Sequence, residues 1–190
     1  TVTGDGFVDG EVTDVKATGS ALNVSDGEVT NTIVYTAGDN FKESNYSITK
    51  NEGKLSITAS TEKVVVTITG NKKNELYDGT EKTAKGYSVN INNALYKEAD
   101  FKFAGNAEVN GTDADTYNMG LAANQFENTN SNFANVEFSV TDGELVINPR
   151  TVVLTSESGS KPYDGTALTK PDVTVTGDGF VDGEVTDVKA

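Results

Sequence analysis

TVTGDGFVDGEVTDVKA occupies residues 1–17 and recurs letter for letter at residues 174–190. The two start positions set a period of 173 residues, so the chain reads as one full turn of a tandem array plus a 17-residue overlap. Identity at a fixed period is the mark of a repeat architecture, in which one supersecondary unit is multiplied along a line. The expectation is an internal piece of a longer protein, with no export signal or anchor of its own.

A second, fainter repeat lies inside the period. Lys161-Pro162-Tyr163-Asp164-Gly165-Thr166 echoes Glu75-Leu76-Tyr77-Asp78-Gly79-Thr80, and each follows a β-rich run, Val152–Thr155 or Val64–Thr69. Asp142-Gly143-Glu144-Leu145-Val146-Ile147 matches Glu52-Gly53-Lys54-Leu55-Ser56-Ile57, an acidic-Gly pair before alternating apolar residues, which predicts a hairpin. Gly79 to Gly143 spans 64 residues, and Gly165 to the next period's Gly53 spans 61. Two modules of similar length therefore alternate. Residues 62–150 form the complete central module, residues 1–61 the later part of a split module, and residues 151–190 the first part of its next copy.

Within the central module, period-2 and β-branched runs predict strands at 64–69, 87–91, 101–109, 116–121, 136–140 and 144–148. Helical patterning is almost absent. Residues 122–127 allow one helical turn, and the Asn-rich run through Asn135 reads as loop. Short strands between Gly, Asn and Asp turns predict an all-β fold of tandem antiparallel, Ig-like sandwiches, with a β-grasp-like sheet as the alternative.

Composition narrows the function. Twenty-nine acidic against 15 basic side chains give a net charge of −14. That charge repels phosphate backbones and anionic lipid, which argues against nucleic-acid partners and direct membrane insertion. No apolar run approaches the length of a spanning helix. Without Cys there is no disulfide framework, and without His the commonest general base and metal ligand is missing.

The strings KPYDGTAL, VTVTGDGF, ATGSALNVSDGEVTNTI and NYSITKNEGKLSIT resemble the MBG-type repeats of long bacterial surface proteins, Gram-positive ones among them. In the central module the resemblance runs through VTITGNKKNELYDGT, DADTY and VEFSVTDGELVI, and it lapses over residues 94–110. It implies an extracellular, cell-surface or wall-attached adhesin or stalk with no catalytic site.

Candidate chemistry is sparse. Tyr77, Asp78, Gly79 and Thr80, with Tyr163, Asp164, Gly165 and Thr166, read as a structural turn: Asp-Gly supplies a positive φ, and the Tyr packs with its hydroxyl on a backbone carbonyl. A sugar or peptide site on the Tyr ring is the weaker reading. Asp5, Asp9, Glu11 and Asp14, repeated as Asp178, Asp182, Glu184 and Asp187, offer oxygen ligands for calcium. Their spacing lacks the loop geometry and distal bidentate Glu of a calcium hand, so a solvated acidic loop is preferred. The glycines around Asp5 and Asp178 lack the following helix that a phosphate cradle needs. Lys63 and Asn148 are the nearest pair for a Lys–Asn cross-link, a device that the split module does not share. Nucleophilic catalysis has no residue to name.

The sequence therefore predicts a non-catalytic spacer without cofactors, whose partners are neighbouring repeats or identical chains. A host protein or glycan is a further possible partner, contacted through Tyr96, Phe101, Phe103 and Phe126 unless those rings fill the core. A third route is head-to-tail joining, because residues 151–190 and 1–61 are complementary halves of one module. Short junctions, one stiffened by Pro149, leave little slack between modules.

Overall fold

A computed structural model describes residues 1–190. The chain is all-β, built of sixteen short strands and four 3-10 turns, with no α-helix. It divides into two compact units: residues 1–64 with 128–136, and residues 65–127 with 137–190.

In the first unit β1 (Val12–Ala17), β2 (Val29–Asn31), β3 (Ile33–Ala37) and β4 (Gly53–Leu55) make two antiparallel ribbons, β1 with β3 and β2 with β4. The β1–β3 register shifts between Thr13 and Lys16, where Asp14 takes φ +61°, a left-handed conformation that Asp tolerates at a bulge. Phe7, Tyr35, Phe41 and Tyr46 gather in a half-buried aromatic cluster, with Phe41 and Tyr46 stacked at 5.6 Å. No side chain from Thr1 to Lys63 is buried. The Asn-rich run does more than loop: Asn132 accepts the Val24 amide at 2.7 Å and donates to Asn23 at 2.9 Å, and its carbonyl accepts the Ser60 amide.

The second unit carries β5 (Val64–Gly70), β6 (Lys72–Leu76), β7 (Lys82–Lys85), β8 (Tyr87–Ile91), β9 (Phe101–Phe103) and β10 (Glu108–Gly111). These are followed by β11 (Thr116–Asn118), β12 (Phe126–Asn128), β13 (Val136–Thr141), β14 (Glu144–Asn148), β15 (Val152–Ser156) and β16 (Val173–Gly177). Two three-stranded sheets dominate, in the orders β13-β5-β8 and β11-β14-β6; β10–β7, β12–β9 and β15–β16 are ribbons. In β5 strict alternation buries Val64, Val66, Ile68 and Gly70. From β14, Leu145 and Ile147 join Ala84, Met119 and Leu121 in the core.

One expectation fails here. Asp142-Gly143 does not close a hairpin, because β13 and β14 do not pair with each other: β13 lies beside β5, and β14 lies beside β6 in parallel, from Glu144 opposite Lys72 to Asn148 opposite Leu76. Glu52-Gly53 likewise opens a strand that pairs back to β2, while the Glu52 carboxylate accepts the Ile33 amide. The reason the pattern misleads is steric. A Cβ on Gly70 would stand 2.2 Å from the Gly143 nitrogen, and one on Gly143 would stand 2.7 Å from the Asn71 carbonyl. Glycine is required by two backbones touching, not by a turn. Asp142 then fixes the neighbouring loop by accepting the Gly120 and Leu121 amides.

The predicted strands at 87–91 and 144–148 coincide with β8 and β14, and those at 64–69 and 136–140 gain one C-terminal residue each. The expected strand over 101–109 is two, β9 and β10, and the one over 116–121 stops at Asn118. Charged β6 escapes the apolar pattern altogether, since its faces are largely exposed and pairing alone makes it a strand, while β7 offers the core only Ala84 between polar neighbours. Leu145→Ala should cost about 2–5 kcal/mol in urea unfolding, because the site is fully enclosed, while Leu95→Ala, 80% exposed, should stay within about 0.5 kcal/mol.

Candidate functional site

Both YDGT segments fold into the same local turn. Asp78 accepts the Thr80 amide at 2.9 Å and its hydroxyl at 2.6 Å, and Asp164 accepts those of Thr166 at 3.0 and 2.8 Å. Gly79 and Gly165 take φ +77° and +75°, which a side chain would strain. The Lys82 ammonium, and behind it Thr80, hold Asp78 well below the ordinary carboxylate range; Lys161 and Thr166 lower the pKa of Asp164.

The two tyrosines part company. Tyr77 packs partly buried against the Leu145–Ile147 core, and its hydroxyl donates to the Glu184 carboxylate instead of the expected backbone carbonyl. That carboxylate raises the Tyr77 pKa. Tyr163 is 98% exposed, so the expected packing of the second Tyr is corrected. The same turn sits on a core in one case and on none in the other.

The feature that sequence reading missed is Arg150, the only arginine in the chain. Its Nε donates to the Gly179 carbonyl at 2.7 Å, Nη2 donates to the Asp178 carbonyl, and Nη1 reaches the Tyr77 carbonyl at 3.4 Å. Beside it the Tyr77 amide donates to the Asn148 carbonyl at 2.9 Å, and the Thr151 amide donates to the Asp178 carboxylate at 2.8 Å. A planar cation with five fixed donors suits this gathering of carbonyls. Its singleness in the sequence was the available signal.

No three acidic side chains converge into a group able to hold a metal ion. Asp178 is engaged with Thr151, while Asp5 and Asp9 line an open groove of about 1110 Å³ in the first unit, bordered by Tyr35, Tyr46 and Lys50. Asn148, named above only as the nearest cross-link partner for Lys63, donates its amide to the Glu75 carbonyl at 3.1 Å. Of the two places weighed for the aromatic side chains, an exposed contact patch or the core, the rings turn toward the core. Tyr96 is 1% exposed, and Phe126 is buried, stacked on Phe103 at 4.8 Å and on Phe138 at 5.8 Å, with Phe101 and Tyr87 edge-on. Tyr96 and Phe126 fill the interior, and Phe101 and Phe103 pack half-buried at its margin.

No protein-family model, curated protein or solved structure matches the chain.

Burial pushes the Tyr96 hydroxyl, which donates to the Asp100 carbonyl, up to about 12. A folded value above the ordinary one of about 10 contributes stability that is complete below pH 10 and lost as pH rises through 12. Unfolding free energy followed by denaturant titration should therefore fall between those pH values, and Tyr96→Phe should flatten that part of the profile.

Proposed function

We propose that this chain is a load-bearing spacer, a repeat segment of the stalk of an extracellular bacterial surface adhesin or fibre of the MBG type. In this reading it is attached at the cell surface or wall, works without catalysis, and holds other domains away from the cell. The observation that carries the reading is the parallel β6–β14 pair, five residue pairs in unbroken register. In parallel neighbours, pulling one strand from its start and the other from its end slides them past each other. All the hydrogen bonds between them are then loaded together, whereas strands pulled apart from the same end open one bond at a time.

The finer assignment, Ig-like or β-grasp-like modules in tandem, belongs to the same proposal. It is supported by the position of the fully enclosed apolar side chains, all between Val64 and Ile147, inside the 62–150 module. The Arg150 clamp, two residues past Asn148, ties the point where chain leaves that module to the Tyr77 and Gly179 carbonyls. The net charge of −14 suits a surface that neighbours should not stick to.

Single-molecule pulling tests the mechanical claim, since the cysteine-free chain accepts thiol handles at will. Handles at Lys72→Cys and Asn148→Cys shear β6 against β14, while Lys72→Cys with Glu144→Cys unzips them. Shear should require at least roughly twice the force. Equal forces would remove the mechanical reading, and survival of the chain on intact producing cells treated with protease would remove the surface location.

A further inference from the structure

The asparagine-rich run at residues 128–135 belongs by sequence to the 62–150 module, yet it folds as part of the first unit. Two side-chain turns shape it: Asn128 Oδ1 accepts the Asn130 amide at 3.0 Å, and Asn130 Oδ1 accepts the Asn132 amide at 2.9 Å. Asn128 Nδ2 donates to the Phe133 carbonyl at 3.0 Å, and the Phe133 side chain is buried. The run so shaped grips the preceding stretch at two places. Asn132 Oδ1 accepts the Val24 amide while its Nδ2 donates to Asn23 Oδ1. Ser60 is held from both sides in a parallel bridge to Phe133: its amide donates to the Asn132 carbonyl at 2.8 Å, and its carbonyl accepts the Ala134 amide at 2.9 Å. Asn135 closes the seam, its carbonyl accepting the Val64 amide at 2.9 Å and its Nδ2 donating to the Thr61 carbonyl at 3.4 Å. Every partner lies between Asn23 and Asn135, inside a single period.

We propose that residues 128–135 are the interface through which the 62–150 module recognises the module before it, and that this clasp makes the two unfold together instead of one at a time. Its composition follows from the task. An amide side chain accepts and donates at once, so Asn132 satisfies the Val24 amide and the Asn23 oxygen with one group, where a carboxylate only accepts and a methyl does neither. The run carries no charge, whereas both modules carry more acidic than basic side chains, so it joins them without adding to their repulsion. The partner it fits presents two things: the first amide of the 3-10 turn Val24–Asp26, which has no acceptor inside the turn, and main chain at Ser60 with both its polar groups free to pair. Chain enters the run from β12 and leaves it into β13, the strand beside β5. Loss of that sheet therefore releases the clasp, and with it the turn at Val24 and the seam at Ser60. The inference rests on these contacts and is independent of the stalk reading.

Hydrogen exchange of the full chain, read by mass spectrometry in the regime where protection reports the free energy of opening, tests the coupling. Ile147→Val trims one methyl group from the core around Leu145, leaves the clasp untouched, and should speed exchange of the β14 amides about fivefold. The β3 amides, Ile33–Ala37, make no contact with Ile147 through the ladder they belong to, since β3 pairs with β1. With the modules opening together they should nonetheless speed up by the same factor. Asn132→Ala strands the Val24 amide and the Asn23 oxygen, and should by itself raise β3 exchange about tenfold. In that background Ile147→Val should no longer be felt at β3. Exchange at β3 that ignores Ile147→Val while β14 responds, or that follows it equally with Asn132→Ala in place, overturns the proposal.

Discussion

Where Gly70 meets Gly143, two backbones run side by side with no room for a side chain, and the organisation of the second unit follows from that contact. It sets β14 parallel to β6 across some seventy intervening residues, and parallel neighbours cannot be joined by a tight turn. The intervening chain must therefore leave and return, and it does so as β7 to β13, from which Ala84, Val109, Tyr117 and Val140 among others pack with Leu145 and Ile147. Closing so long a loop costs entropy before any contact rewards it. The return comes from enclosed apolar groups: Leu145 and Ile147 from β14, Ile68 from β5, and the stacked rings around Phe126.

Away from that core the chemistry changes character. The flanking stretches hold their shape through ribbons, local carboxylate–amide turns and half-buried aromatic pairs, with no enclosed side chain. Asp78 and Asp164 illustrate the economy of means: one carboxylate satisfies an amide, a hydroxyl and an ammonium without leaving solvent. Such turns are rigid locally and indifferent to what lies beneath them. That is why Tyr77 packs on a core and Tyr163 stands in water above an equivalent loop.

The proposed spacer role draws on the first kind of structure. A sheared parallel ladder resists extension because its bonds share the load. It depends on main-chain hydrogen bonding and calls for neither a pocket nor a reactive side chain.

What the sequence determined by itself was local and periodic. The alternation in Val64–Thr69, Tyr87–Ile91 and Glu144–Asn148 is the pleat of a half-buried strand written directly in residue types, and the Asp-Gly of YDGT is a positive φ written in the same way. The repeated seventeen residues were equally plain. What only the tertiary structure decided was pairing. Lys72–Leu76 carries no apolar stripe and is a strand because β14 lies beside it, and Asp142-Gly143 carries a turn's residues yet marks a crossing. Arg150 is one polar residue among many until the carbonyls of Tyr77, Asp178 and Gly179 are brought around it. The physical reason is common to all three. Propensity and periodicity report the surroundings of a residue averaged over its own neighbours in sequence, whereas partners seventy residues away are chosen by which backbones can approach and which donors then need an acceptor.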